Sequence, residues 1–62
     1  MDKPKVKLVG EDGNIFNLMG ICSKALKRAG LFEEAKEMKL KICQCGSYDE
    51  ALCILMDYCD VE

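Results

Sequence analysis

Histidine does not occur in this sequence. Without it a cysteine nucleophile loses its usual activating base, and a metal site would have to be built from thiolates and carboxylates. No apolar run approaches the ~20 residues that cross a bilayer as a helix. Nothing apolar follows Met1-Asp2-Lys3-Pro4-Lys5 that would read as a secretory signal. Internal repeats, low-complexity tracts and linkers are missing as well. The expectation is one cytoplasmic domain spanning residues 1–62, with its thiols reduced.

Sixty-two residues leave a large share of the surface wet, and domains of this size usually draw extra stability from disulfides, a metal or oligomerisation. Half of the residues are hydrophobic and about a third are charged, a globular balance rather than a disordered one. The formal charge of −2 gives no general affinity for nucleic acid or membrane, but it hides an asymmetry. Residues 14–46 carry six basic and three acidic side chains, whereas residues 47–62 carry five acidic and no basic ones. Five cysteines, Cys22, Cys43, Cys45, Cys53 and Cys59, are many for this length. Their odd number fits poorly with a closed disulfide framework, and the plainer reading makes them small buried hydrophobes.

Lys5-Val6-Lys7-Leu8-Val9 alternates, with Val6 and Leu8 on one face and Lys5 and Lys7 on the other, the pattern of a half-buried strand. Gly10-Glu11-Asp12-Gly13 reads as a turn and Asn14 as a helix N-cap. From Ile15 to Ala29 the period becomes helical, gathering Ile15, Leu18, Met19, Ile21, Cys22, Ala25, Leu26 and Ala29 on one face. Gly30 supplies the left-handed stop. A second helix, from about Phe32 to Cys45, has a narrow seam of Leu31, Ala35, Met38, Ile42 and Cys45, and Gly46 ends it. Ser47-Tyr48-Asp49-Glu50 has the spacing of a capping box and opens a third helix that runs to about Cys59. There Tyr48, Ala51, Leu52, Ile54, Leu55, Met56, Tyr58 and Cys59 fill an arc of about 200°, twice the usual ~100° of a surface helix. Asp49, Glu50, Cys53, Asp57 and Asp60 occupy the remainder. A lone strand leaves a ladder of backbone groups unpaired. Its partner is either Asp60-Val61-Glu62, whose acids complement Lys5 and Lys7, or the same strand of a second copy.

Three blocks carry a resemblance: Lys7-Leu8-Val9-Gly10-Glu11-Asp12-Gly13-Asn14-Ile15-Phe16, Ala25-Leu26-Lys27-Arg28-Ala29-Gly30 and Gly46-Ser47-Tyr48-Asp49. Together they resemble a family of short, functionally uncharacterised proteins of bacteria, phages and other mobile elements with a KLVGEDGNxF N-terminal block. The blocks cover the first half and the start of the last helix, leaving the middle helix and the cysteines outside. The resemblance implies an accessory protein of mobile DNA and assigns no residue a role.

Several constellations compete for a function. Cys43-x-Cys45 with Cys22, Cys53 or Cys59 would give enough thiolates for zinc, but the usual spacing is C-x₂₋₄-C and residues two apart on a helix face different sides. No metal or other cofactor is expected. Cys53 sits within the acidic arc and is expected to be accessible, but its acidic neighbours disfavour the thiolate that a nucleophile needs; no enzyme activity is expected. The second helix, a Gly-Ser turn and the third helix have the order of a helix-turn-helix. The third would present Asp49, Glu50, Asp57 and Asp60 to phosphates, which argues against DNA. On the first helix Asn17, Gly20, Lys24, Lys27 and Arg28 form a candidate anion patch in which the glycine permits close approach. The plainer reading is a solvated face whose cations suit a helix C-terminus. The broad arc of the third helix, with Leu52, Leu55, Met56 and Cys59, is the candidate interface, joined by Phe16 at the margin of the first helix.

The expected fold is mainly α (small α+β), a short N-terminal strand followed by a compact three-helix unit, in a homodimer. The expected function is that of a non-enzymatic interaction protein, a phage or mobile-element accessory factor that binds a partner protein through its apolar helix face. The alternative is a small-ligand binder that sequesters a phosphorylated or nucleotide signal with Lys24, Lys27 and Arg28.

Overall fold

A computed structural model describes residues 2–8 and 10–62. The elements follow as β1 (Lys5–Val6), α1 (Ile15–Arg28), α2 (Phe32–Gln44), α3 (Tyr48–Tyr58) and β2 (Asp60–Val61), so the protein is mainly α with a small strand element. The capping chemistry explains the helix bounds. Asn14 Oδ1 accepts from the Phe16 N–H at 2.9 Å, while Asn14 N–H donates to Asp12 Oδ1 at 3.1 Å. At the other end Gly30 has φ +80°. The Leu31 N–H reaches back to the Leu26 carbonyl at 2.8 Å and the Gly30 N–H to that of Lys27 at 3.0 Å. That pair of bonds is a Schellman closure, which a left-handed glycine makes possible.

The second stop differs from expectation. Each helix ends one residue before its expected bound, at Arg28, Gln44 and Tyr58; α2 does so because Cys45 is already extended (φ −74°, ψ 158°) and its Sγ donates to the Ile42 carbonyl at 3.0 Å. Gly46 is not left-handed. Its N–H donates to Glu50 Oε2 at 3.0 Å, while Ser47 Oγ accepts from the Glu50 N–H at 3.2 Å. The capping box therefore forms with the carboxylate reaching the residue before the cap rather than the cap itself. α3 has no basic residue in its last turn, and Lys3 supplies one from a distance by donating its Nζ to the Met56 carbonyl at 3.1 Å.

The lone-strand question has an intramolecular answer. β1 and β2 pair in parallel, with Lys5 opposite Asp60 and Val6 opposite Val61, and the three helices form the crossover that a parallel pair requires. Asp60 N–H donates to the Pro4 carbonyl (2.9 Å), Glu62 N–H to the Val6 carbonyl (2.7 Å) and Leu8 N–H to the Glu62 carbonyl (3.3 Å). The expected alternation holds from Lys5 to Leu8, with Lys5 and Lys7 exposed, Val6 buried and Leu8 half-buried. Val9 lies outside the described residues. Beneath the ladder, α1 contributes Leu18, Cys22 and Leu26 to the core, α2 Ala35, Met38 and Ile42, and α3 Ala51, Leu55 and Tyr58. Full burial of Leu26, Met38 and Leu55 contributes about 1.5–3 kcal/mol each before the cost of ordering them.

Candidate functional site

The wide apolar arc of α3 is divided by its surroundings. Its centre packs into the core, where Ala51, Leu55 and Tyr58 are buried, together with Cys59 just beyond the helix. One flank stays open: Tyr48 and Met56 are 46% and 50% exposed, and Leu52 is half-buried between them. On that side the turn before α1 and the end of β2 stand up as walls, leaving a groove of about 390 Å³. Leu8, Leu18, Leu52, Leu55, Met56 and Val61 give it an apolar lining, and Glu11 and Glu62 add carboxylates. The Tyr48 hydroxyl donates to the Gly13 carbonyl and ties the start of α3 to the turn, so the two walls are held together at one end. On the α3 wheel Asp49 follows Met56 by 20° at 100° per residue, so the acidic stripe begins where the apolar lining stops.

The structure separates residues that the sequence grouped. Of the expected interface set, Leu52, Leu55 and Met56 line this groove. Leu55 and Cys59 are corrected from surface to core, at 0% and 1% exposure, because α1, α2 and β2 close over the middle of the α3 arc. Leu55 reaches the groove only as part of its floor. Phe16 is 68% exposed but does not line the groove. The candidate anion patch also divides. Asn17 Nδ2 is engaged by the Asp12 carbonyl at 3.1 Å, and Gly20 is half-buried with no atom within 4 Å of where a Cβ would sit. Lys24 and Lys27 are exposed, whereas Arg28 lines a different cleft with Lys5 and Lys7. The groove's other walls, Leu8, Leu18, Val61, Glu11 and Glu62, were assigned no such role from the sequence. They come from four separate stretches of chain, and only the unresolved pairing of Asp60-Val61-Glu62 hinted at their meeting. Phe32 and Leu40, both more than half exposed on α2, fall off the seam that the sequence marked.

The cysteines have no common site. Cys43 and Cys53 are exposed, Cys45 is half-buried, and Cys22 and Cys59 are buried. Burial pushes the Cys22 thiol up to about 12, with Cys59 adding to the shift, and burial raises Cys59 as well. Such thiols stay protonated and unreactive. Among the described residues no three Cys, Asp or Glu side chains are grouped to hold a metal ion, and no helix is long and apolar enough to cross a membrane. No family model matches the chain, and no curated protein or solved structure matches it either.

Proposed function

We propose that this is a non-enzymatic interaction protein, an accessory factor of a phage or other mobile element, which works in the cytoplasm by holding an apolar segment of a partner protein against α3. The observation that supports the reading is the groove itself, an open apolar lining with Met56 half exposed and two carboxylates, Glu11 and Glu62, among the lining residues. Apolar contacts supply the affinity, and the carboxylates favour a segment whose apolar face is flanked by lysine or arginine. A second copy is the other occupant to consider. A two-fold pairing across the groove sets the Glu11 and Glu62 carboxylates of both copies near one another, whereas the acidic stripe of one copy complements Lys24 and Lys27 of another.

An amphipathic helical peptide with a leucine face and a lysine face is the probe, and backbone amide shifts are the readout. The expected shifts fall on Leu52, Met56 and Val61 and disappear in Met56→Glu, a change at an exposed position that leaves the core intact. Binding that survives Met56→Glu, or an acidic peptide that binds equally well, would overturn the reading. Light scattering across concentrations decides the homodimer, which a strict monomer throughout defeats.

A further inference from the structure

The second cleft of the molecule lies on the other side of the strand pair, and its chemistry is the reverse of the groove's. It measures about 410 Å³ and runs between β1 and one side of α1, lined by Lys5, Lys7, Ile21, Ala25 and Arg28 among others, with no carboxylate among its lining residues. Within a strand, alternate residues direct their N–H and C=O groups to opposite edges. The Pro4 and Val6 carbonyls and the Leu8 N–H all face β2, so the peptide groups of Lys5 and Lys7 face this cleft. No backbone hydrogen bond outside the β1–β2 ladder reaches Lys5 or Lys7 among the described residues. An open strand edge of this kind is a template for another strand.

We propose that the free edge of β1 takes an acidic extended peptide from a partner protein as a third strand, laid between β1 and α1. The inference does not rest on the α3 groove. Two observations select the occupant. Lys5, Lys7 and Arg28 surround the edge with positive charge only, so a basic strand is repelled. The β1 of a second copy is repelled for the same reason, since it would set lysines opposite lysines. The closed edge of β1 meanwhile already holds a segment of the required kind: Asp60-Val61-Glu62 alternates acid, apolar, acid and places Asp60 opposite Lys5. On the open edge Ile21 and Ala25, both half-buried, give the apolar residue of such an alternation a surface to rest on. A small anion satisfies the cations but cannot pair in register with both the N–H and the C=O groups of Lys5 and Lys7.

The test uses a capped six-residue peptide alternating glutamate with valine, its glutamine analogue, two copies N-methylated at alternate peptide bonds (one on the glutamates, one on the valines), and inorganic phosphate. Titration calorimetry at low and high salt gives affinity, and amide exchange at Lys5 and Lys7 reports strand pairing. The acidic peptide is expected to bind, to slow exchange of the outward-facing amides and to weaken as salt screens the charges. The glutamine analogue should bind more weakly, and one of the two N-methyl registers should not bind. Lys7→Gln with Arg28→Gln, both at exposed positions, should weaken binding roughly fivefold to tenfold, the middle of the range for two exposed ion pairs. Absence of binding, tolerance of both N-methyl registers, or unchanged affinity in the double variant overturns the proposal. Phosphate displacing the peptide completely at similar concentration overturns it too, by reducing the cleft to a simple anion site.

Discussion

Proline placed at Val61 or at Glu62 reads the phase of the strand ladder directly. Proline removes an N–H and holds φ near −65°, so at either position it distorts the end of the chain to a similar degree. Only at Glu62 does it also delete a ladder bond, the 2.7 Å donation to the Val6 carbonyl. The Val61 N–H faces away from β1, since Asp60 and Glu62 on either side of it are the donors. The difference between the two variants is therefore one backbone hydrogen bond, about 1 kcal/mol net, rising toward ~3 if the orphaned carbonyl stays shielded from water. β2 is exposed, which places the expectation at the lower end. With an m-value of about 1 kcal/mol/M in urea for a domain this small, the Glu62→Pro midpoint should lie about 1 M below that of Val61→Pro. In heat the gap is about 4–8 °C. Alanine at each position subtracts the lost side chain, which matters most for Val61 because it lines the groove. Equal midpoints, or a lower one for Val61→Pro, would refute the register. A slip by one residue would also turn Lys5 inward and Val6 outward, contradicting the burial of Val6 at 5% exposure.

Gly20→Ala should raise stability by about 0.5–1 kcal/mol, since a mid-helix glycine costs entropy and an added Cβ there meets open space at negative φ; a lowered thermal midpoint would show that the glycine is required. A thiol reagent at pH 8 should label Cys43 and Cys53 on the native protein and reach Cys22 and Cys59 only on unfolding, with fast labelling of Cys22 disproving its burial. The same burial predicts alkaline destabilisation. Cys22 titrates near 12 in the fold against an ordinary 9.0, so the folded state keeps its proton longer. Stability is full below pH 9 and falls as pH rises toward 12, by up to ~1.4 kcal/mol per unit from this group. Cys22→Ala should flatten that decline in denaturation curves taken at successive pH values.

The helices were legible because their ends carry local chemistry: Asn14, Gly30 and Ser47 each act on backbone groups only a few residues away, and the period of apolar residues does the rest. The stop of α2 shows where local reading fails. Gly46 has the residue type of a terminator, but its backbone is not left-handed, and Cys45 turns the chain first through its own side-chain bond to Ile42. The site was less legible for a different reason. An apolar arc specifies how much surface must be covered, not by what, and the cover for α3 comes from α1, α2 and a two-residue strand that returns across the whole chain. Leu55 and Cys59 went to the core, while Leu52 and Met56 were left open, although the wheel treats all four alike. Nor does the wheel of α1 carry the neighbours that Arg28 meets, since it lines a cleft with Lys5 and Lys7 from another stretch of chain.

The uneven charge of the sequence acquires a spatial meaning through the strand pair. Leu8, Val61 and Glu62 belong to the acid-edged groove, and Lys5, Val6 and Lys7 to the basic cleft, so the ladder is a ridge with one surface on each side. The acidic tail of the sequence does two things there: it pairs with β1, and it supplies Glu62 to the groove. The ridge is held by few bonds, and the surfaces depend on it unequally. Removing the Glu62 N–H loosens β2, which forms a wall of the groove, but leaves the Lys5 and Lys7 peptide groups facing α1 as long as Val6 stays buried. A peptide for the basic cleft should accordingly tolerate Glu62→Pro better than one for the groove. The converse order would mean that β1 holds its place only because β2 is paired to it, making the two surfaces one cooperative unit.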